Sequence, residues 1–511
     1  RILRALGGTK DFGICAGEDS TAHPGRDVLG LLDAEPDARW ARTDRNGLST
    51  FRFGAAKRPR IDVSIAPHSD PDPNSDLTVE VAMGGAGAAA PVSPSVERRS
   101  AVAGSVVEVT TTVAGERTTV TIDVRPPAPG ALIGPRPDRT VLRPLRIAAG
   151  RRIPALLFLT SRDALADRIG EPATAHLLRA IRDAGHAVID GVDGRGSDPA
   201  AAAALVREHW GRHRTGRPKG VVILGGYDVV PAQRVDCLPP DVREQNTPND
   251  DPDDFVVWSD DLYGDVTGDP LPELPVSRIP DARSAVLMFS AIQASDGGNG
   301  VPKSGIRNVA RPFADEIHRR LPAGRDLLVS QPTTFDLRPP YELGSDRVYL
   351  MLHGEYSDGR RFRGEDDEGG YPVAMDVTNV PDRPIPVVLC GACWGGLIGD
   401  QPAGRLAPNE AVVSHKDVDG SLALAFLARG AAAFVGCTGA HYSPTVAPYG
   451  YYGGALHAAF WRNHARLAPA SALLQAKRDF AAGMPHGRET PGSLAIEFKI
   501  LRIFTCLGLG W

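Results

Sequence analysis

Short apolar runs alternate with helical segments along most of this chain, and this alternation restricts the fold more than any other feature. Residues 155–160, 186–192 and 220–225 predict strands, and residues 171–184 and the segment that begins at Pro199 predict the helices between them. A continuous apolar run suits a parallel strand that is covered on both faces. Strand–helix–strand repetition of this kind predicts an α/β layered sandwich.

The same alternation continues to the end of the sequence. Further strands are predicted at residues 326–330, 347–352, 386–390 and 432–437, and further helices at residues 282–294, 309–321, 421–428, 452–465 and 471–482. No repeat of solenoid length accompanies them. We therefore predict two adjacent α/β subdomains, A over residues 146–300 and B over residues 301–511.

Residues 1–145 differ from the rest because they are rich in strand and loop signals. Two β-branched runs within residues 105–124 flank Ala114-Gly115-Glu116 and predict a hairpin. Residues 77–82 predict another strand, and residues 67–75 and 86–95 predict linkers or loops. No catalytic constellation is visible in this stretch. We interpret it as a β-rich N-terminal domain with a pro-domain or interaction role.

Composition excludes several classes of protein. A hydrophobic content of 42% is enough to build a core, which excludes a wholly disordered chain. Lys and Arg number 57 against 62 Asp and Glu, so the net charge of -5 gives no basic field for nucleic acid. The six cysteines are too few for a secreted disulfide framework in a chain of 511 residues.

Localisation is predicted from the same features. No apolar run reaches the ~18 residues of a membrane-spanning helix, so no membrane span is predicted. Few cysteines and no visible signal segment favour the cytoplasm. Because the chain begins at Arg1 rather than Met, a removed signal peptide, and therefore export, stays open.

The reactive side chains follow two predicted strands of subdomain B. His353-Gly354 follows one of them, and Cys393 follows the next, again before a glycine-rich segment. Adjacent parallel strands deliver their carboxyl ends to one edge of a sheet, which is where α/β proteins bind ligands. A thiolate beside an imidazole is a strong nucleophile, and the N–H groups of Gly354 and Cys393 could hold an oxyanion. This combination predicts a catalytic dyad for acyl transfer.

Cys390 and Cys393 also form a CxxC pair, which raises zinc and redox interpretations. A zinc site needs a second pair of ligands at suitable spacing, and the other cysteines offer none. A redox CxxC opens a helix early in a domain, whereas this pair ends a late strand. Cys390, inside an apolar strand, is instead predicted to be a core residue.

At these residues the sequence resembles the caspase-like clan of cysteine peptidases, and within it the gingipain-type family. The likeness covers about residues 150–511 and is carried by residues 220–231 (GVVILGGYDVVP), residues 259–280 (SDDLYGDVTGDPLPELPVSRIP), His353-Gly354 and Ala392-Cys393. It implies a caspase/gingipain-like α/β/α sandwich and a cysteine endopeptidase, with Cys393 as nucleophile and His353 as general base and acid. It also implies a protein or peptide substrate, cleavage after a basic residue, and activation from a precursor or by a partner protein.

The same resemblance implies further site residues. Residues 438–444 are similar to a segment that lines the substrate pocket, which makes Thr438, His441 and Tyr442 substrate-binding candidates. Asp315 or Glu316 is the candidate acid for the pocket or for the histidine. The family's own acidic partner of the histidine has no counterpart before the histidine strand. His457 and His464 are predicted on helix surfaces.

An acidic cluster raises the question of a metal. Residues 249–255 (NDDPDDF) lie near further acidic positions, namely Asp260, Asp261, Asp265 and Asp269. Gingipain-like proteins carry calcium, and calcium prefers carboxylate and carbonyl oxygens, yet no EF-hand spacing is present and a solvated loop explains the cluster equally. We predict no required cofactor and leave structural calcium open.

Two alternatives to a peptidase remain. One is a non-catalytic sensor or scaffold of the same fold that binds a protein partner, since the acidic partner of the histidine is missing. The other is a metal-dependent hydrolase that uses the acidic cluster.

Overall fold

The computed structural model describes residues 145–511, apart from residues 193–197, 213–215, 248–249, 269–270, 296–297, 299, 331–342, 367, 382, 407–414 and 487–489, together with the backbone of seven strands in residues 1–144. The chain divides into two compact units, Arg1–Val141 and Leu142–Trp511. Each unit is described by itself below.

The first unit contains antiparallel strands. They are β1 (Lys10–Cys15), β2 (Ser49–Phe53), β3 (Arg60–Asp72), β4 (Ser75–Gly84), β5 (Ser95–Ala101), β6 (Val106–Ala114) and β7 (Arg117–Arg125). They form a three-stranded sheet in the order β1-β6-β7 and a four-stranded sheet in the order β2-β3-β4-β5.

The predicted hairpin of the first unit is confirmed, because β6 pairs with β7 around residues 115–116. The prediction of a linker over residues 67–75 is wrong. Residues 67–72 continue β3, which pairs with β4 from Arg60↔Gly84 to Asp72↔Ser75 with a register shift after Pro67. Three prolines within residues 67–75 suggested a break, but β3 and β4 continue to pair after a shift in their register. Residues 86–94 of the other predicted linker lie outside the described residues, and Ser95 begins β5.

The second unit is a layered α/β structure. Its strands are β8 (Leu157–Leu159), β9 (Ala187–Ile189), β10 (Val221–Leu224), β11 (Gln233–Asp236), β12 (Val256–Ser259), β13 (Val276–Ile279), β14 (Ser304–Asn308), β15 (Leu328–Ser330), β16 (Arg347–Met351), β17 (Arg361–Arg363), β18 (Val373–Asp376), β19 (Val387–Cys390), β20 (Ala433–Cys437) and β21 (Phe504–Gly508). Its α-helices are α1 (Arg162–Ile169), α2 (Glu171–Asp183), α3 (Pro199–Arg212), α4 (Pro240–Arg243), α5 (Ala285–Gln293), α6 (Phe313–Arg319), α7 (Leu422–Ala428), α8 (Tyr452–His464), α9 (Pro469–Gly483) and α10 (Pro491–Ile503).

A single ten-stranded sheet forms the centre of this unit, in the order β15-β14-β16-β19-β20-β21-β13-β10-β8-β9. Every neighbouring pair is parallel except β20 and β21, which are antiparallel. The sheet therefore consists of two parallel halves that run in opposite directions. The carboxyl ends of β14, β16, β19 and β20 share one edge.

The strand between the two halves is the last one in the chain. β21 pairs with β20 over five residues and with β13 through Leu507 and Arg278, and all five of its residues are buried. It follows α10 without a loop, so a change from helical to strand periodicity is hard to read from the sequence. No strand was predicted there.

The α/β sandwich predicted from the alternation and from the resemblance is confirmed. The predicted strands around β8, β10, β16, β19 and β20 are found within about two residues of their predicted ends, which is the usual precision of such boundaries. β14 was missed because its sequence, SGIRN, is short and contains one large apolar residue. No helix in the described part of the chain is both long and apolar enough to cross a membrane.

Candidate active site

His353 and Cys393 lie at the same edge of the sheet. In the parallel pair of β16 and β19, Leu350 stands opposite Cys390. His353 and Cys393 each follow that registered pair by three residues, so the two segments leave the sheet side by side. A Cβ added to Gly354 would lie 2.2 Å from the carbonyl oxygen of Cys393. Only glycine allows the two segments to approach this closely.

An acidic side chain holds the histidine. The Nε2 atom of His353 lies 3.2 Å from Oε2 of Glu365, and the side-chain amide of Asn308 donates to the same oxygen at 3.1 Å. The backbone of His353 pairs in both directions with Arg363, at 2.8 and 2.9 Å. This bridge brings Glu365, two residues beyond Arg363, back to the imidazole.

The protonation of the dyad follows from these contacts. A carboxylate only accepts, so Nε2 of His353 carries a proton and Nδ1 is the basic nitrogen. Burial lowers the pKa of His353, with a further decrease from the charge of Arg311, while Glu365 opposes both effects. Burial raises the pKa of Glu365, but hydrogen bonds from His353 and Asn308 and nearby charges bring it below its usual value. The pair at neutral pH is therefore a neutral imidazole beside a carboxylate.

The thiol of Cys393 is partly exposed and contacts backbone of the segment after β20. The N–H of His441 donates to Sγ at 3.2 Å, and Sγ lies 3.7 Å from the carbonyl oxygen of the same residue. Burial raises the pKa of Cys393, although the His441 N–H and the positive charge of Lys499 oppose the increase. The resting side chain is therefore a thiol, which needs a base in order to become a nucleophile.

Two backbone donors point to an oxyanion site. In the described part of the chain, neither the N–H of Gly354 nor that of Cys393 has an acceptor, whereas the next N–H, that of Trp394, donates to Gly439 at 2.9 Å. Backbone N–H groups without an intramolecular acceptor are available to a developing negative charge.

Comparison with known proteins gives one kind of match. No protein-family model and no curated protein matches this chain. Solved structures do match. One is the Arg-specific cysteine proteinase gingipain R, with 12% identity, a TM-score of 0.44, and coverage of 70% of this chain and 77% of that one. Another is the complex of the RgpB pro- and mature domains from Porphyromonas gingivalis, with 12% identity, a TM-score of 0.44, and coverage of 69% and 78%.

The substrate-binding candidates after β20 differ in what they contact. Thr438 is buried, and its hydroxyl donates to the carbonyl oxygen of Trp258 at 2.7 Å. His441 meets Cys393 through its backbone, while its ring stacks on that of His457 at 5.1 Å. Tyr442 donates its hydroxyl to Asp251 at 2.7 Å. Of these, His441 is the residue in direct contact with the dyad.

Asp315 is on α6 and its carboxylate pairs with Arg307, at 2.8 Å in the ion pair and 2.9 Å in a second hydrogen bond. The acidic partner of His353 is Glu365, which follows the histidine in sequence. The expectation that an acid would come from the region before the histidine strand therefore missed the side chain that contacts the imidazole.

His457 corrects another expectation. It was predicted on a helix surface, but its side chain is fully buried on α8, where Nδ1 lies 2.8 Å from the hydroxyl of Tyr349. α8 is apolar on more than one face, which hides the position from a pattern argument. Burial lowers the pKa of His457 to about 3. This histidine supports the site as a neutral core residue.

The acidic cluster is mostly paired with cations. Asp251 and Asp253 bind Lys499, and Asp260 binds the fully buried Arg278, while Asp254 pairs with Arg243. Asp261 pairs with Lys477 at 2.8 Å. Asp269 lies outside the described residues. Among the described residues, no group of three His, Cys, Asp or Glu side chains could hold a metal ion.

Sequence reasoning missed four residues of the site. Glu365 and Asn308 hold His353, the charge of Arg311 acts on both His353 and Cys393, and Tyr371 packs its ring edge-on against His353 at 4.8 Å. No sequence motif links these four residues to His353 or Cys393. Asn308 also lies on β14, a strand that was not predicted. The arrangement as a whole suits a thiol, its base and an oxyanion site.

Proposed function

We propose that this chain is a cysteine endopeptidase in which Cys393 is the nucleophile and His353 is the general base and acid. The proposal rests on one observation, the shared register of β16 and β19 with Gly354 packed against the carbonyl of Cys393. That packing brings an imidazole, a thiol and two unpaired N–H groups to one edge of the sheet. Acyl transfer needs these parts together.

The mechanism follows from the protonation of the dyad. Nδ1 of His353 takes the proton of the Cys393 thiol, and the thiolate attacks the peptide carbonyl carbon. The N–H groups of Gly354 and Cys393 hold the oxyanion of the tetrahedral intermediate. His353 then gives its proton to the leaving amine, which leaves a thioester on Cys393. Water, deprotonated by His353, hydrolyses the thioester and regenerates the thiol.

The charges around the dyad affect which side chain a substrate can place before the cleaved bond. The resemblance implied a basic residue before the cleaved bond, for which Asp315 would be a counter-charge, but Asp315 is paired with Arg307. In the described part of the chain, Arg311 donates to the carbonyl of Ala310 at 3.1 Å and forms no ion pair within 4 Å, while its charge acts on Glu365 as well as on the dyad. A basic substrate side chain close to the dyad would meet this cation. We therefore propose an acidic or uncharged residue in preference to a basic one.

The decisive experiment combines peptide cleavage with alkylation. Purified chain is assayed against peptides with Asp, Glu, Arg, Lys or Ala before the cleaved bond, with the Cys393→Ala variant beside it. Cys237→Ala is the matched control, since Cys237 is another free cysteine and is buried. We expect cleavage by the wild type and the control, none by Cys393→Ala, and the lowest rates with Arg and Lys.

Alkylation separates the peptidase from the scaffold alternative. The alternative rested on a missing acidic partner for the histidine, and Glu365 now supplies one. Iodoacetamide labelling of Cys393 near pH 7 should slow in a His353→Gln variant if the imidazole assists ionisation of the thiol. Labelling that does not depend on His353, together with no cleavage of any peptide, would support a non-catalytic scaffold. Activation from a precursor or by a partner protein remains part of the proposal.

A further inference from the structure

A buried ionic cluster lies beside the nucleophile segment. The Nζ atom of Lys499 lies 2.7 and 2.6 Å from the two carboxylate oxygens of Asp251 and 2.7 Å from Oδ2 of Asp253. All three side chains are fully buried. We call Asp251, Asp253 and Lys499 the buried cluster. With two carboxylates and one ammonium it has a formal charge of −1, which a protein interior tolerates only when hydrogen bonds satisfy the oxygens.

Three further hydrogen bonds of the buried cluster reach Trp394, which follows Cys393, and the residues on both sides of His441. Oδ1 of Asp253 accepts from the indole N–H of Trp394 at 2.9 Å, and Oδ2 accepts from the backbone N–H of Ala440 at 2.5 Å. Oδ2 of Asp251 accepts from the hydroxyl of Tyr442 at 2.7 Å. Trp394 directly follows the nucleophile, and Ala440 and Tyr442 flank His441, whose N–H contacts Sγ.

The backbone at Trp394 needs this support. Its φ is 51°, in the left-handed region that a bulky L-residue adopts only at an energetic cost. The indole bond to Asp253 and the bond from the N–H of Trp394 to Gly439 both hold that conformation. A Cβ added to Gly439 would lie 2.7 Å from Oδ2 of Asp253, so the carboxylate is closely packed against the segment.

We infer that Asp253 is a positioning residue for the nucleophile: its carboxylate, held by Lys499, ties Trp394 and the 439–442 segment together and thereby holds Sγ of Cys393 against the backbone of His441, at the sheet edge that it shares with His353. The inference rests on the proposed function. Asp253 touches no reacting atom and acts through Trp394 and Ala440. Lys499 makes the buried carboxylate possible by neutralising part of its charge.

A role of Asp253 through its charge and a role through positioning predict different values of kcat for the Asp253→Asn variant. Burial raises the pKa of Cys393, and the negative charge of Asp253 contributes to the same direction. Removing that charge therefore makes the thiol more acidic. If Asp253 acted only through its charge, Asp253→Asn would alkylate faster near pH 7 and keep or raise its kcat. If Asp253 positions the nucleophile, kcat falls although the thiol ionises more readily.

The experiment compares Asp253→Asn, Trp394→Phe and the double variant. Trp394→Phe keeps an aromatic ring and removes the N–H donor. Asp254→Asn is the matched control, because the neighbouring carboxylate pairs with Arg243 and is partly exposed. We expect kcat to fall about tenfold in each single variant with KM within about twofold, as for loss of one oriented group. The double variant should fall no further than Asp253→Asn alone, since the donor that Trp394→Phe removes acts only through the Asp253 carboxylate.

Two measurements keep the outcomes separate. Thermal unfolding identifies a variant that fails to fold. If Asp253→Asn does not fold, the role of Asp253 is tested with Trp394→Phe, since Trp394 is partly exposed. Unchanged kcat in Trp394→Phe, or independent losses that multiply in the double variant, would overturn the positioning role. The alkylation rate of Cys393 against pH is read on the same proteins and needs no substrate. If the wild type cleaves nothing, the proposed function fails alone. The alkylation rate of Trp394→Phe, in which the charge of Asp253 is kept, then still reports the positioning of Sγ, and a rate equal to that of the wild type would overturn the role of Asp253.

Discussion

At the scale of single residues, the site depends on which nitrogen of His353 carries a proton. Glu365 accepts from Nε2, and Asn308 shares the same carboxylate oxygen. Cys393 is a thiol whose pKa is raised by burial, so the basic Nδ1 is needed to ionise it. Glu365 therefore influences the chemistry through the orientation and basicity of the imidazole.

Replacement of Glu365 by Gln should weaken this arrangement. The neutral carbonyl oxygen of Gln accepts from His353 and Asn308 more weakly than the shared carboxylate oxygen does. His353 therefore loses orientation, and we expect kcat/KM to fall by about ten- to hundredfold. The negative charge that raises the pKa of His353 is also lost. The acid limb of kcat/KM against pH should therefore move to lower pH.

The matched control for this substitution is Glu368→Gln, at an exposed position three residues along the same loop. It should keep the rate and the pH profile of the wild type. An equal fall in both variants, or an acid limb in Glu365→Gln that stays in place, would contradict the role of Glu365.

At the scale of elements, the site is the meeting of two strand ends. β16 and β19 are parallel and in register up to Leu350 and Cys390, and the hairpin of β17 and β18 folds back on His353 through its bridge with Arg363. The closest approach of the two strand ends is at Gly354. The shared register of β16 and β19 places His353 and Cys393, and the hairpin of β17 and β18 places Glu365. Three side chains of the site therefore come from separate parts of the chain.

A Gly354→Ala variant tests this meeting point. Its Cβ would lie 2.2 Å from the carbonyl oxygen of Cys393, a distance at which backbone has to move. Displacement of about 1 Å at reacting groups can cost about hundredfold in rate, and we expect a loss of that size with most of the stability retained. Peptide cleavage and thermal unfolding measure the two effects.

Gly450→Ala is the control for the added methyl group, because a Cβ there meets nothing within 4 Å and its φ is not left-handed. Full activity in Gly354→Ala would show that the two strand ends need not touch.

At the scale of the whole α/β unit, stability depends on buried histidines that stay neutral. His457 and His318 are buried, and burial lowers their pKa values to about 3 and about 4, with the charge of Lys303 adding to the effect at His318. Both values lie below the ~6.5 of an unfolded chain. The unfolded state therefore binds more protons between these limits, and stability is lost as the pH falls below about 6.5.

We expect a measurable loss of stability at mildly acidic pH. At pH 5.5 each of the two histidines should lower the free energy of unfolding by about 1.4 kcal/mol relative to a pH well above 6.5. Denaturant unfolding at pH 5.5 and 7.5 measures it. A variant of His318, such as His318→Gln, should show a smaller pH dependence than the wild type. Equal pH dependence in the two proteins would mean that His318 titrates alike in the folded and unfolded states.

Much of the fold could be predicted from the sequence because most central strands are apolar runs that can be recognised from neighbouring residues alone. The apolar runs that became β8, β10, β16, β19 and β20 are short, continuous and separated by helices, and each can be recognised without its neighbours. β14 and β21 could not be, since one is polar and the other continues a helix. Their places in the sheet depend on pairing with distant strands.

The sequence by itself determined the α/β architecture and the positions of His353, Gly354 and Cys393 after two buried strands. Only the tertiary structure decided what surrounds them: that Glu365 holds the imidazole, that Asp253 binds Trp394 and that Lys499 pairs with Asp251 and Asp253. The physical reason is the distance along the chain over which each kind of interaction acts. Periodicity acts over neighbouring residues, whereas these hydrogen bonds and charges act between side chains that lie 12 to 248 residues apart along the chain.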